Sequence, residues 1–167
     1  ACDRTMASLA GQVNGLTPLP VPGEDAHDVA AVLQAALSAS VAHFFSNTGP
    51  SGQRALATMT RTLNAKMSEG LPADVAARSA ALGQAIAAHI CGWADGDGGA
   101  VVENMGFPQS YTAPGDPAAW VPTSLVRQQQ APLLPDWGNV RPFAMPAGSN
   151  TCGLPPPPAY SEDPASA

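Results

Sequence analysis

Residues 95–167 constrain this chain more than any other feature. These 73 residues hold 13 of the 18 prolines and no lysine, and no window of ten shows a clean helical or two-residue period. A structureless stretch of that length is uncommon inside a compact domain. It is not a flexible linker either, because it carries Phe107, Tyr111, Trp120, Trp137, Phe143 and Tyr160. Proline lowers the entropy lost when a backbone is ordered, and aromatic rings supply large contact areas. The combination predicts a fixed strap laid over a surface.

Within this chain the surface available to it is residues 24–94, which predict three amphipathic helices. The first, EDAHDVAAVLQAALSASVAHFF, repeats Val29, Val32, Leu33, Ala36, Leu37, Val41, Phe44 and Phe45 at helical spacing. Glu24, Asp25 and Asp28 favour its N-terminus electrostatically, and NTGPSG ends it. The second runs from Ser51, the expected N-cap, to Ser68, with Leu56, Met59, Leu63 and Met67 as its stripe. Gly70 stops it. The third starts at Pro72 and shows Val75, Leu82, Ile86, Ile90 and Trp93 on one face. Residues 1–23 form an arm, with a short helix expected around Met6, Leu9 and Val13 and an extended PLPVPG connector. The fold expected is therefore mainly α: an arm (1–23), a three-helix segment (24–94) and a proline-rich irregular strap (95–167).

Three helices of about 20 residues offer little surface for so long a strap, so part of it is expected to lie on protein outside this chain. The last residues agree. Ser161, Glu162, Asp163 and Pro164 read as the first turn of a helix, followed only by ASA. PPPP at 155–158 predicts polyproline II, either a spacer or a ligand for an aromatic groove.

Charge narrows the partners. The formal charge is −6 and charged residues make up 12% of the chain, about half the usual share. This argues against nucleic acid and anionic membranes, and no apolar run reaches the ~20 residues of a membrane span. Cys2, Cys91 and Cys152 allow one disulfide and one free thiol. Cys2 and Cys152 lie in irregular segments and form the candidate bridge; three free thiols is the alternative. Ala1 in the place of a Met leads to the expectation of a processed N-terminus.

No motif for chemistry emerges from spacing. DGDGG with Glu103 hints at a calcium loop, but the EF-hand pattern fails: counted from Asp95, the fifth position is Gly99 and the twelfth Gly106. His89 and Cys91 stand two apart on a helix and do not face the same way. His27 and His43 are separated by about 24 Å along theirs. No catalytic, cofactor or metal residue is assigned. The strap residues Tyr111, Trp120, Trp137, Arg141, Phe143 and Tyr160, with Trp93, are the candidate structural and interface set.

WADGDGG, Tyr111, PGDPAAWVPT, PLLPDWGNVRPFAMP and CGLPPPPAYSEDPASA occur in this order. The series resembles the N-terminal half of bacterial proteins of the vanadium-dependent haloperoxidase and type 2 phosphatidic acid phosphatase superfamily, over roughly residues 70–167. The resemblance implies a larger helical bundle, a secreted or periplasmic location, and vanadate or phosphate held by a lysine, two arginines, a Ser-Gly pair and two histidines. It places those residues after this chain's last residue, on a C-terminal half or a second chain. Two look-alikes do not supply them. Pro50, Ser51, Gly52 and Gln53 come one residue short of P-S-G-H, and glutamine neither bonds vanadium as imidazole does nor attacks phosphorus. Arg141-Pro142 has no lysine upstream at the family's spacing and is expected to pair with a carboxylate or with carbonyls. The chain itself is therefore expected to be a non-catalytic segment or subunit without its own cofactor. The competing expectation is an extracellular assembly protein whose strap packs on neighbouring copies.

Overall fold

A computed structural model describes residues 12–99, 111–121, 132–135, 137–146 and 158–166. The chain divides into two compact units, Ala1–Asp95 and Gly96–Ala167. Among the described residues there are three α-helices and no strand. None of the helices is long and apolar enough to cross a membrane. They are α1 (Val29–Phe44), α2 (Pro50–Ser68) and α3 (Ala73–Asp95). All lie in the first unit.

The starts of the helices differ from the sequence expectation for local reasons. α1 begins at Val29, not at Glu24, because Asp28 takes the N-cap: its backbone is extended and its carboxylate accepts from the Ala31 N–H at 2.9 Å. α2 is capped by Gly49, and Ser51 lies inside the helix rather than at its N-cap. Pro50 suits the first helical position, where its missing N–H costs nothing. α3 starts at Ala73, with Pro72 contributing the carbonyl that accepts from Ala76. Gly70, at φ +77°, provides the left-handed residue that turns the chain out of α2.

Gln53, the residue that spoils the P-S-G-H look-alike, has a structural use. Its Nε2 donates to the Phe45 carbonyl at 2.9 Å and to the Thr48 hydroxyl at 2.8 Å, with the Ser46 and Thr48 carbonyls also within reach. One amide thereby satisfies carbonyls freed at the end of α1. Gln53→Ala is expected to cost about 1 kcal/mol and to lower the thermal midpoint read by circular dichroism. Gln53→His is expected to lose part of the same clasp without gaining any phosphatase activity.

α1 and α3 run parallel, tied at both ends. At the N-terminal end the Asp28 N–H donates to Ser79 Oγ at 2.9 Å, and at the C-terminal end His43 Nε2 meets Asp95 Oδ1 at 2.9 Å. α2 returns between these ends and packs on α1. The α1–α3 seam is built from small residues. On α3 the buried positions are Ser79, Gly83, Ala87 and Cys91, one per turn, and on α1 they are Ala31 and Ala35. At Gly83 the helices nearly touch: a Cβ there would lie 2.3 Å from the Val32 carbonyl oxygen and 2.7 Å from Ala35 Cβ.

This seam is not the one the apolar stripes predict. Val75, Leu82, Ile86, Ile90 and Trp93 flank it, half-buried. On α1, Val29, Leu33, Leu37 and Phe44 are exposed on the side away from Ala31 and Ala35. The physical reason is approach distance. Interaxial separation follows side-chain size at the crossing, so the four-residue repeat of small side chains on α3 wins the contact. α2 buries no residue at all; Leu56, Leu63 and Met67 are half-buried and Met59 is exposed.

The arm is clasped to α3. Trp93 Nε1 donates to the Asn14 carbonyl at 2.8 Å, and His89 Nε2 is shared between the Thr17 carbonyl (3.1 Å) and hydroxyl (3.2 Å). Leu19 is buried beyond them. Val13 sits in a turn whose carbonyl accepts from Leu16. Met6, Leu9, Cys2, Cys152, Phe107 and Glu103 lie outside the described residues, and so does most of PPPP.

Candidate functional site

The second unit holds the strap, and among its described residues a cluster joins Gly96–Gly99 to Trp137–Arg141. The loop after α3 is closed by Asp97, whose carboxylate accepts from the Gly99 N–H at 2.6 Å. Residues 137–141 lie across this loop. The Arg141 N–H donates to the Asp97 carbonyl at 2.8 Å, and its guanidinium donates to the Gly96 carbonyl at 3.3 Å. The Trp137 ring and the Asn139–Val140 backbone approach Gly99 and Gly98 within van der Waals range of an added Cβ. Arg141 thus binds carbonyls.

The strap turns into this cluster through Leu134, which has φ +47°. Its carbonyl accepts from the Trp137 N–H at 3.1 Å, opening the 3-10 turn Trp137–Asn139. A non-glycine residue in the left-handed region costs on the order of 1 kcal/mol and persists only where the surroundings hold it. Here Pro135 and the Trp137–Arg141 cluster follow immediately.

The aromatic residues singled out from the sequence fall into two groups. Trp93 is in the first unit and holds the arm, so its contact is internal. Tyr111 is half-buried, while Trp120, Trp137, Phe143 and Tyr160 are exposed, Phe143 at 71%, Trp137 at 56% and Tyr160 at 55%. The Tyr160 hydroxyl donates to Glu162 at 3.1 Å. Ser161 Oγ accepts from the Asp163 N–H at 3.1 Å, as an N-cap would. Asp163 then closes a turn on Ala165 and Ser166, and no helix lies within 158–166.

Among the described residues the titratable groups do not converge on a reaction centre. Among the described residues no three of His, Cys, Asp and Glu are grouped to hold a metal ion. His27 Nδ1 donates to the Asp25 carbonyl at 2.7 Å, His43 is paired with Asp95, and Cys91 is a buried free thiol. Arg78 is held by Asp74 at 2.9 Å and by the Ala26 carbonyl at 3.4 Å. The bonded Arg78 guanidinium keeps the Asp74 carboxyl below its ordinary pKa. Any stability from that pair is present above the ordinary carboxylate range and fades as pH falls through the lowered value; at so exposed a site it is slight.

Two features are not evident from local spacing: the outward exposure of the large apolar side chains of α1, and the clasp that Gln53 makes on the carbonyls of Phe45 and its neighbours. A signal for the first was present: Ser79, Gly83, Ala87 and Cys91 recur every four residues, which marks the close-packing face of α3 and leaves the large side chains of α1 over. Searches of protein-family models, curated proteins and solved structures find no match to this chain.

Proposed function

We propose that this chain is a non-catalytic scaffold, the N-terminal structural part of a haloperoxidase-like or acid-phosphatase-like assembly. Its strap grips a helical bundle supplied by further polypeptide. The observation that carries this reading is the exposure of Trp137 and Phe143 on a backbone restrained by proline and by the Arg141 contacts. Such side chains are anchors already in place: little entropy is lost on docking, and each ring buries on the order of 150–250 Å².

The poverty of the core supports the same reading. Among the described residues no valine, isoleucine, methionine or aromatic side chain is buried. Alanine and cysteine contribute only about 0.8 kcal/mol per methyl-sized group. The three helices behave as one layer of a thicker structure.

The order of WADGDGG, PGDPAAWVPT and PLLPDWGNVRPFAMP carries the link to that superfamily, and with it a secreted or periplasmic location. The described residues do not fit vanadate or phosphate. Arg78 is engaged by Asp74 and the Ala26 carbonyl, Arg141 by Gly96, and P-S-G-Q is spent on the α1–α2 turn. Halide oxidation or phosphate-ester hydrolysis therefore belongs to the gripped bundle.

The test is intact mass and native electrophoresis of the protein isolated from its source. A further polypeptide of roughly 25–35 kDa, one or two ordinary domains, is expected to travel with these residues or to be continuous with them. It should carry the Lys, Arg and His groups. Trp137→Ser with Phe143→Ser is expected to weaken that association at least tenfold, because two anchors of this size supply several kcal/mol. Turnover of halide or phosphate ester by the purified 167-residue chain alone would overturn the proposal.

A further inference from the structure

A different surface, on the first unit, points to self-association. Val29, Leu33, Leu37 and Phe44 are 63%, 57%, 54% and 54% exposed. At 100° per residue they fall within an arc of about 80° on α1, with Ser40 between Leu33 and Phe44 along the helix. Ala31 and Ala35, the buried residues, are on the opposite side. The four side chains together with neighbouring Phe45 leave on the order of 500 Å² of apolar surface in water, as large as the biggest patch on a typical monomer. Two copies joined through this face would remove about 1,000 Å², the lower bound for a specific interface.

We infer that this face is the seam of a symmetric dimer in which α1 packs antiparallel against α1 of a second copy. Charge selects a second copy. The sixteen residues VAAVLQAALSASVAHF contain no Lys, Arg, Asp or Glu. An acidic chain of net charge −6 thus meets itself along α1, which alone of the three described helices has no Lys, Arg, Asp or Glu, so that like charges do not oppose it there. With Asp95 held by His43 at its C-terminal end, α1 itself presents no Lys, Arg, Asp or Glu by which to choose an unlike partner.

Charge and shape select the orientation as well. Glu24, Asp25 and Asp28 crowd the N-terminal end of α1. Parallel pairing would stack the two acidic clusters. Antiparallel pairing separates them by about 24 Å, several Debye lengths at physiological salt. In the antiparallel register Val29 faces the partner's Phe44, Leu33 enters the gap at the partner's Ser40, and Leu37 lies beside its own symmetry mate. Large side chains meet small ones, and the patch is complementary to itself, as a two-fold interface requires.

The experiment is analytical ultracentrifugation of the 167-residue chain at about 50 µM, together with the Leu33→Asp, Leu37→Asp double variant. Both positions are exposed, so the helical circular dichroism should be retained. The wild type is expected to sediment as a dimer and the variant to dissociate at least ~100-fold more readily, since each substitution counts twice across a two-fold axis. Trp137→Ser with Phe143→Ser should leave the dimer intact, which separates this inference from the strap's role. Wild-type monomer at that concentration, or a dimer that survives the double variant, overturns it. Orientation is read by mixing Val29→Cys chains with Phe44→Cys chains and adding a short thiol crosslinker. A 29-to-44 link identified by peptide mass is expected; 29-to-29 and 44-to-44 links in its place overturn the antiparallel arrangement.

Discussion

Gly83→Ala is expected to destabilise the helical unit even though alanine is the better helix former. Propensity alone favours alanine by about 1 kcal/mol. The added methyl would lie 2.3 Å from the Val32 carbonyl oxygen, 2.7 Å from Ala35 Cβ and 2.9 Å from the Ala36 nitrogen. Two of these atoms are backbone, so relief requires α1 and α3 to separate along their whole seam. Overpacking of this kind costs about 1–3 kcal/mol, and here the upper end applies because separation also loosens Ser79, Ala87 and Cys91.

The net loss is about 1–2 kcal/mol, or about 5–15 °C in thermal midpoint for a unit of this size. Gly92→Ala is the matched control. Gly92 is on the same helix, exposed, with nothing within 4 Å of an added Cβ, and its replacement is expected to raise the midpoint by a few degrees. If thermal melts followed at 222 nm show both variants shifting in the same direction by similar amounts, the close approach at Gly83 is not what organises the helices.

Trp93→Ala should release the arm. The indole packs half-buried and donates to the Asn14 carbonyl at 2.8 Å, while His89 holds Thr17 one turn earlier on α3. Losing half-buried aromatic area together with that hydrogen bond costs about 2–3 kcal/mol. The expected readout is local: backbone amides in residues 12–20 exchange with deuterium at least ~10-fold faster, while those of α1 and α3 change little. Trp93→Phe keeps most of the area, loses the donor and should fall between. Uniform acceleration across all three helices would mean that Trp93 supports the bundle rather than the arm.

The helices were legible because their signals are local. Apolar recurrence at three and four residues, Gly70 after α2 and Pro50 and Pro72 near the starts of α2 and α3 act within one or two turns of backbone. The caps were less legible. Ser51 has the right chemistry for an N-cap, but Gly49 takes the position since Pro50 already meets the requirement of the first turn. Which stripe would be buried was not legible either. Val29, Leu33 and Leu37 make the stronger apolar pattern, yet Ala31 and Ala35 are the residues covered.

The sequence by itself determined that this chain forms three helices between about residues 24 and 94 and that glycine and proline lie at their breaks. Both follow from preferences that each residue expresses against its near neighbours. Only the tertiary structure decided that α1 meets α3 through alanine, serine and glycine, that Gln53 closes a turn and that Arg141 clasps the Gly96–Gly99 loop. These depend on how closely two backbones approach across distances of 8 to 52 residues in sequence. A one-dimensional pattern shows which side chains are apolar, but the free energy of close approach is settled by the smallest ones.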